Sequence, residues 1–147
     1  MSAVNVILDA IDARLRNAQA IAQVTRARLT PFKDGDLPAC NYWVTTDLVQ
    51  STVHGADNHT LSISIEAYDK TRDRPFVDIA MELHALLVDT LNKEVGGVHS
   101  PNLGGIVQAL DITDFTPIVG EGEKPWCGAL ITCQVKYQTA RNSVNLL

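Results

Sequence analysis

Along residues 3–21 the apolar positions Val4, Ile7, Leu8, Ile11, Leu15, Ala18 and Ile21 recur at three- and four-residue steps. That spacing places them on one side of a helix, with Asp9, Asp12, Arg16 and Gln19 on the other. Ser2 is positioned as its N-cap, where a hydroxyl accepts from the free N–H groups of the first turn. Residues 22–29 lose the helical period. Val24, Arg26 and Arg28 alternate with Thr25, Ala27 and Leu29, which predicts a short strand. Thr30 to Pro38 holds two prolines, a glycine and two aspartates and reads as a loop.

From Ala39 the period is two. Tyr42, Val44 and Thr46 are expected on one face and Asn41, Trp43 and Thr45 on the other. Residues 47–53 are polar apart from Leu48, Val49 and Val53. His54, Gly55, Ala56, Asp57 and Asn58 suit a turn. Over 60–68, Leu61, Ile63, Ile65 and Ala67 face a core while Ser62, Ser64 and Glu66 face water or a partner. The two segments form a long hairpin. Its distal part, around 47–60, has too little apolar surface to be core and is expected to project from the domain body.

Residues 75–95 predict a second helix with Pro75 in its first turn, where a missing N–H costs nothing, and Asp73 as cap. Phe76, Ile79, Ala80, Leu83, Leu87, Leu91 and Val95 make its apolar stripe. Leu86 and Val88 widen it, so this helix is expected to be the more buried of the two, ending at Gly96. Glycines and Pro101 mark a loop up to Gly105. Residues 106–112 alternate as a strand, and 116–125 read as an acidic loop. In the last strand Cys127, Ala129, Ile131, Cys133, Val135 and Tyr137 form the inward face, opposite Gly128, Leu130, Thr132, Gln134 and Lys136. The remainder, 139–147, is expected to be a loose tail. The order predicts one α+β domain over residues 1–138. Its mostly antiparallel sheet has about four to five strands, with two helices packed on one face.

Composition adds bounds. The chain has 147 residues, 46% hydrophobic and 20% charged, which supports a real core and excludes wholesale disorder. No apolar run approaches the ~20 residues that span a bilayer. Residues 1–15 lack a signal-peptide profile, so folding in a cytoplasm is expected. Seventeen acidic against twelve basic residues give −5, the opposite of a nucleic-acid-binding balance.

Motifs for chemistry are sparse. There is no G-x-S-x-G and no H-E-x-x-H. Cys127 and Cys133 sit six residues apart on one strand, about 20 Å at ~3.3 Å per residue, too far for a disulfide. With Cys40 they read as small core residues. His54 and His59 flank a turn and read as solvated; His84, on a helix flank, reads as packed or solvated. Asp111, Asp114, Glu121 and Glu123 read as a solvated acidic cluster. No metal, cofactor or catalytic residue is expected. The residues that suit contact with another subunit are Trp43, Trp126 and the arginines Arg72 and Arg74 ahead of the second helix.

One combination of features is more specific. An N-terminal helix leads to Asp36-Leu37-Pro38-Ala39 and the strand through Tyr42-Trp43-Val44. The hairpin returns through Leu61-Ser62-Ile63-Ser64-Ile65-Glu66-Ala67-Tyr68. A helix follows, then Trp126, Ala129-Leu130-Ile131-Thr132 and Val135-Lys136-Tyr137. This order, over residues 3–138, resembles the tail terminator family of long-tailed phages. The resemblance implies a structural virion protein, not an enzyme, with no cofactor. Such proteins form a hexameric ring on the end of the tail tube. The ring stops tube polymerisation and offers a surface to the head-side connector. The implied partners are other copies of the chain, the tube protein and the connector. The alternatives are a head–tail joining (neck) protein, a tube subunit, or a small enzyme or ligand-binding module.

Overall fold

The computed structural model describes residues 2–71, 74–94, 96–119 and 126–147. Two helices and five strands follow one another as α1 (Ala3–Asn17), β1 (Gln23–Arg26), β2 (Ala39–Ser51), β3 (Ala56–Lys70), α2 (Phe76–Leu91), β4 (Ala109–Val119) and β5 (Trp126–Ala140). The strands form one sheet in the order β1-β2-β3-β5-β4. All neighbours are antiparallel except β1, which runs parallel to β2. The α+β class with helices packed against the sheet is as the sequence pattern predicts.

The centre of the sheet is the β3–β5 pair, in continuous register from Ala56 opposite Ala140 to Lys70 opposite Trp126. Because side chains alternate, this register brings Leu61, Ile63, Ile65 and Ala67 beside Val135, Cys133, Ile131 and Ala129 on one face. All eight are buried, and α1 and α2 cover them. Cys40, Cys127 and Cys133 are buried free thiols. Burial pushes Cys40 and Cys133 up to about 12, so they behave as core residues. Gly128 is required on the other face. A Cβ there would lie 2.3 Å from the Ala67 carbonyl oxygen and 2.9 Å from Tyr68 Cδ1.

Each outer long strand carries a bulge at the same level of the sheet. Val44 and Ile112 lie at the row of Ile63 and Cys133, and beyond that row both strands shift register by one residue. Thr45 and Thr113 are the extra residues, and each hydroxyl donates to a carbonyl of the neighbouring central strand, Ser62 at 3.1 Å and Thr132 at 3.4 Å. A bulge reverses which residues of a strand face the core. Tyr42 therefore faces inward and Thr46 does not, so the expected face of Tyr42, Val44 and Thr46 is broken after Val44. On the far side of the bulge, Asp47 and Val49 take the inward positions opposite Leu61 and His59.

Other boundaries also differ. β3 begins at Ala56, so Asp57 and Asn58 belong to a strand, not to the turn. The 47–60 hairpin is not a two-stranded ribbon, because β5 pairs with β3 as far as Ala56. Residues 139–147 fold back: Thr139 bridges Leu146, the Leu147 amide donates to Gln138, and the Ala3 amide donates to Val144. The short strand expected at 106–112 runs instead from Ala109 to Val119, consuming the start of the expected loop. Helix α2 ends at Leu91, ahead of Gly96, and its N-cap position is Pro75 with no side-chain cap. The expected cap Asp73 and the stripe residue Val95 lie outside the described residues. Phe76 is exposed, as are Val77 and Met81. α2 is not the more buried helix: it buries Ile79, Ala80, Leu83, Leu87 and Leu91, while α1 buries Ala3, Ile7, Leu8, Ile11, Arg14 and Leu15. Ser2 caps α1, accepting from the Asn5 amide.

Arg14 joins the two helices. It is 6% exposed, and its Nη1 donates to the carbonyls of Leu91 at 2.6 Å and Ser100 at 2.7 Å. A cation at the C-terminal end of α2 meets the negative end of the helix dipole. Replacing Arg14 by Met keeps bulk but strands two carbonyls. The expected loss is roughly 3–6 kcal/mol, from two hydrogen bonds of a charged donor worth about 1.5–3 each. It should appear as a lower urea midpoint with an unchanged slope.

Candidate functional site

Helices on one side leave the other side of the sheet open. Trp43, Ser64, Thr132 and Asp114 form one row across it, and Asn41, Glu66, Leu130 and Thr116 the next. The four sequence-predicted contact residues do not form one patch. Trp43 and Trp126 are half-buried and share the open face. They are separated by about 20 Å along β5, since Trp43 is level with Thr132, six residues from Trp126, at ~3.3 Å per residue. Arg74 precedes α2 and is ion-paired with Glu82, both side chains being exposed. Arg72 lies outside the described residues.

The more distinctive surface is an edge that the sequence reading did not single out. β1 pairs β2 only from Ala39 to Tyr42. Beyond Tyr42, β2 continues to Ser51 with β3 on one side and, among the described residues, no strand on the other. This edge exposes Leu48 (65%) and Val49 (54%), and the turn after it exposes Val53 (94%). Its sequence has no proline and one charged residue, Asp47, which faces inward. The opposite edge of the sheet is blunted. On β4 the Leu110 amide is taken by the Pro101 carbonyl, and Asp111, Asp114 and Pro117 follow. Proline and charge on an edge strand oppose pairing with another chain. Signals for the β2 edge were present as Leu48, Val49 and Val53, but which side of the strand lacks a neighbour depends on where β1 stops.

A buried polar cluster lies behind this edge, on the helix side. His59 stacks on Tyr137 with ring centroids 4.4 Å apart. Its Nδ1 lies 3.1 Å from Asp47 Oδ2, and its Nε2 2.9 Å from Thr139 Oγ1. Tyr137 donates to the same carboxylate at 2.8 Å. His59 is therefore a buried, fully partnered residue and not a solvated turn residue. Periodicity sees only a polar side chain, whereas its partners come from β2 and β5. The carboxylate–imidazole–hydroxyl order imitates a hydrolase triad, but Thr139 is 1% exposed and no substrate reaches its hydroxyl. The cluster stiffens the end of the sheet. His84 is packed, stacked on Phe115 at 4.3 Å.

Among the described residues no three His, Cys, Asp or Glu converge to hold a metal ion. Asp111 and Asp114 are exposed on β4; Glu121 and Glu123 lie outside the described residues. Among the described residues no helix is long and apolar enough to cross a membrane.

The chain has three tyrosines, and each donates to a carboxylate: Tyr42 to Asp12, Tyr68 to Glu66 and Tyr137 to Asp47. Burial, then the adjoining carboxylate, raises all three phenols above their usual range, Tyr42 to about 12. A folded-state pKa above the unfolded value of about 10 means stability that is complete below pH 10 and lost as pH rises beyond it. Absorbance at 295 nm should therefore show no tyrosinate in the native protein at pH 10, and about half-ionised tyrosines in urea at the same pH. Native ionisation near 10 would show that these hydrogen bonds do not form in solution. No protein-family model matches the chain, and no curated protein matches it.

Proposed function

We propose that this chain is a tail terminator of a long-tailed phage, a structural subunit that forms a ring on the tail tube, stops its polymerisation and presents a surface to the head-side connector. The observation that carries this reading is the open edge of β2 from Trp43 to Ser51, which exposes Leu48 and Val49, beside a sheet whose other edge is blunted. A long unpaired edge with exposed apolar residues is an aggregation hazard unless a specific partner covers it. A segment of an identical subunit, other than its blunted β4 edge, covers it by adding as a strand, and repeating that one head-to-tail contact closes a ring. The ordered sequence features described above, from Asp36-Leu37-Pro38-Ala39 to Tyr137, support the same family, and the α+β fold is compatible with it. Catalysis is not part of this reading.

Six copies of a chain carrying −5 repel one another, so ring formation should strengthen as salt screens them. Identical ring populations at low and high ionic strength would count against a closely packed ring. A lysine at Leu48 or Val49 should abolish ring formation seen by light scattering. The monomer should melt within about 0.5 kcal/mol of wild type in stability, because both positions are exposed. Alanine at Trp43, Arg72, Arg74 and Trp126 tests the residues proposed from sequence; unimpaired rings in all four remove them from the interface.

Deleting the gene and measuring tails by electron microscopy tests the function. Overlong tails without heads are the expected outcome, because loss of a stop is what lets a tube run on. Tails of normal length beside filled, unjoined heads would reassign the chain to the neck. Fully normal virions would overturn the structural reading.

A further inference from the structure

The open face of the sheet holds a cleft of about 530 Å³ between the loop after β1 and the β4–β5 end. Asn41, Glu66 and Tyr68 form its floor, with Phe32 and Trp126 among its walls. Glu66 is half-buried there and is held by two neutral donors, Asn41 Nδ2 at 3.3 Å and the Tyr68 hydroxyl at 2.9 Å. Asn41 cannot turn away, because its Oδ1 already accepts from Thr25 Oγ1 and from the Arg28 amide, both at 2.9 Å. Among the described residues no ion pair reaches Glu66.

Arg28, which also lines the cleft, is occupied. Its guanidinium lies over the Phe32 ring at 4.7 Å, donates to the Thr30 carbonyl at 2.9 Å, and has Asp36 as its ion-pair partner at 3.9 Å. Among the described residues the cleft thus presents a fixed carboxylate that is supplied with neutral hydrogen bonds and has no ion-pair partner, within aromatic walls. A carboxylate in a half-buried site is best completed by a cation. The remaining walls, with Ile118, Val119 and Trp126, suit the methylene stem of a long basic side chain.

We infer that this cleft is a docking site for a lysine or arginine side chain of a partner protein, with Glu66 pairing the cationic head and the aromatic walls holding its stem. The inference does not rest on the tail reading. It stands on the floor geometry, on the lack of an ion pair at Glu66 among the described residues, and on the aromatic lining.

Trp126 lines the cleft and reports its occupancy. The chain has two tryptophans, so Trp43→Phe leaves Trp126 as the sole reporter. This protein should be titrated with Nα-acetyl-arginine methylamide, Nα-acetyl-lysine methylamide and, as the neutral isostere, Nα-acetyl-norleucine methylamide. The two basic probes should change Trp126 fluorescence saturably, and norleucine at least tenfold more weakly. Glu66→Gln keeps the shape of the floor and removes the charge. It should weaken the basic probes roughly tenfold or more, as expected for losing a charge-assisted hydrogen bond, and leave norleucine unchanged.

Norleucine binding as well as the basic probes would overturn the inference, leaving an apolar cleft. Butylamine binding more tightly than either capped amino acid would also overturn it, because the site would then take a free amine. Should Glu66→Gln fail to melt cooperatively, the comparison of basic probes with norleucine on the parent protein decides alone. Absence of any saturable change with the basic probes overturns it.

Discussion

The β3–β5 ladder is the contact on which the rest of the molecule depends. Its register aligns Leu61, Ile63, Ile65 and Ala67 with Val135, Cys133, Ile131 and Ala129 in one apolar plane. A slip of one residue would turn every one of these side chains to the open face. It would also carry Gly128 away from Tyr68, where no Cβ fits. Both helices need that plane, because an amphipathic helix is stable chiefly through the face it buries. The ladder also reaches the far end of the hairpin, so β5 and the returning tail support a segment that two strands alone would leave unsupported.

Polar groups make the one-sided core specific. Arg14 satisfies carbonyls at the end of α2 and beyond it, tying α1 to a helix it meets only in three dimensions. Tyr42 joins β2 to α1 through Asp12 and receives a hydrogen bond from Arg26, whose guanidinium also pairs with Asp9. His59, Asp47, Tyr137 and Thr139 close the opposite end of the sheet. Among the described residues no buried side-chain nitrogen or oxygen lacks a hydrogen-bond partner. Such networks cost desolvation and return it only in one geometry, which favours a single native arrangement over raw stability.

The paired bulges at Thr45 and Thr113 link this architecture to the proposed function. Both lie at one level of the sheet, and each locks its threonine onto a central strand. A bulge bends its strand and increases local twist. On β2 it also turns Asp47 inward, so the charge that would discourage edge pairing is removed from the open edge and used by His59 and Tyr137. The result is an edge bordered by Leu48 and Val49 and suited to strand addition. The cleft around Glu66 lies in the other half of the sheet, so the two proposed contact regions can act separately.

The period of apolar residues was enough to determine the two helices, the central strands and their inward faces, because burial acts on each side chain according to its position in the repeat. Ser2 as a cap and the cysteines as core residues were legible for the same local reason. What needed the tertiary structure was everything fixed by a partner distant in sequence. The parity reversals at Thr45 and Thr113 leave no trace in composition. The fate of His59 depended on Asp47 and Thr139, the end of α2 on what Arg14 and the following loop could satisfy, and the open edge of β2 on where β1 stops. The floor of the cleft joins Asn41 to Glu66 across two strands. Periodicity reports which side of its own element a residue occupies; which residue lies opposite is set by register and packing.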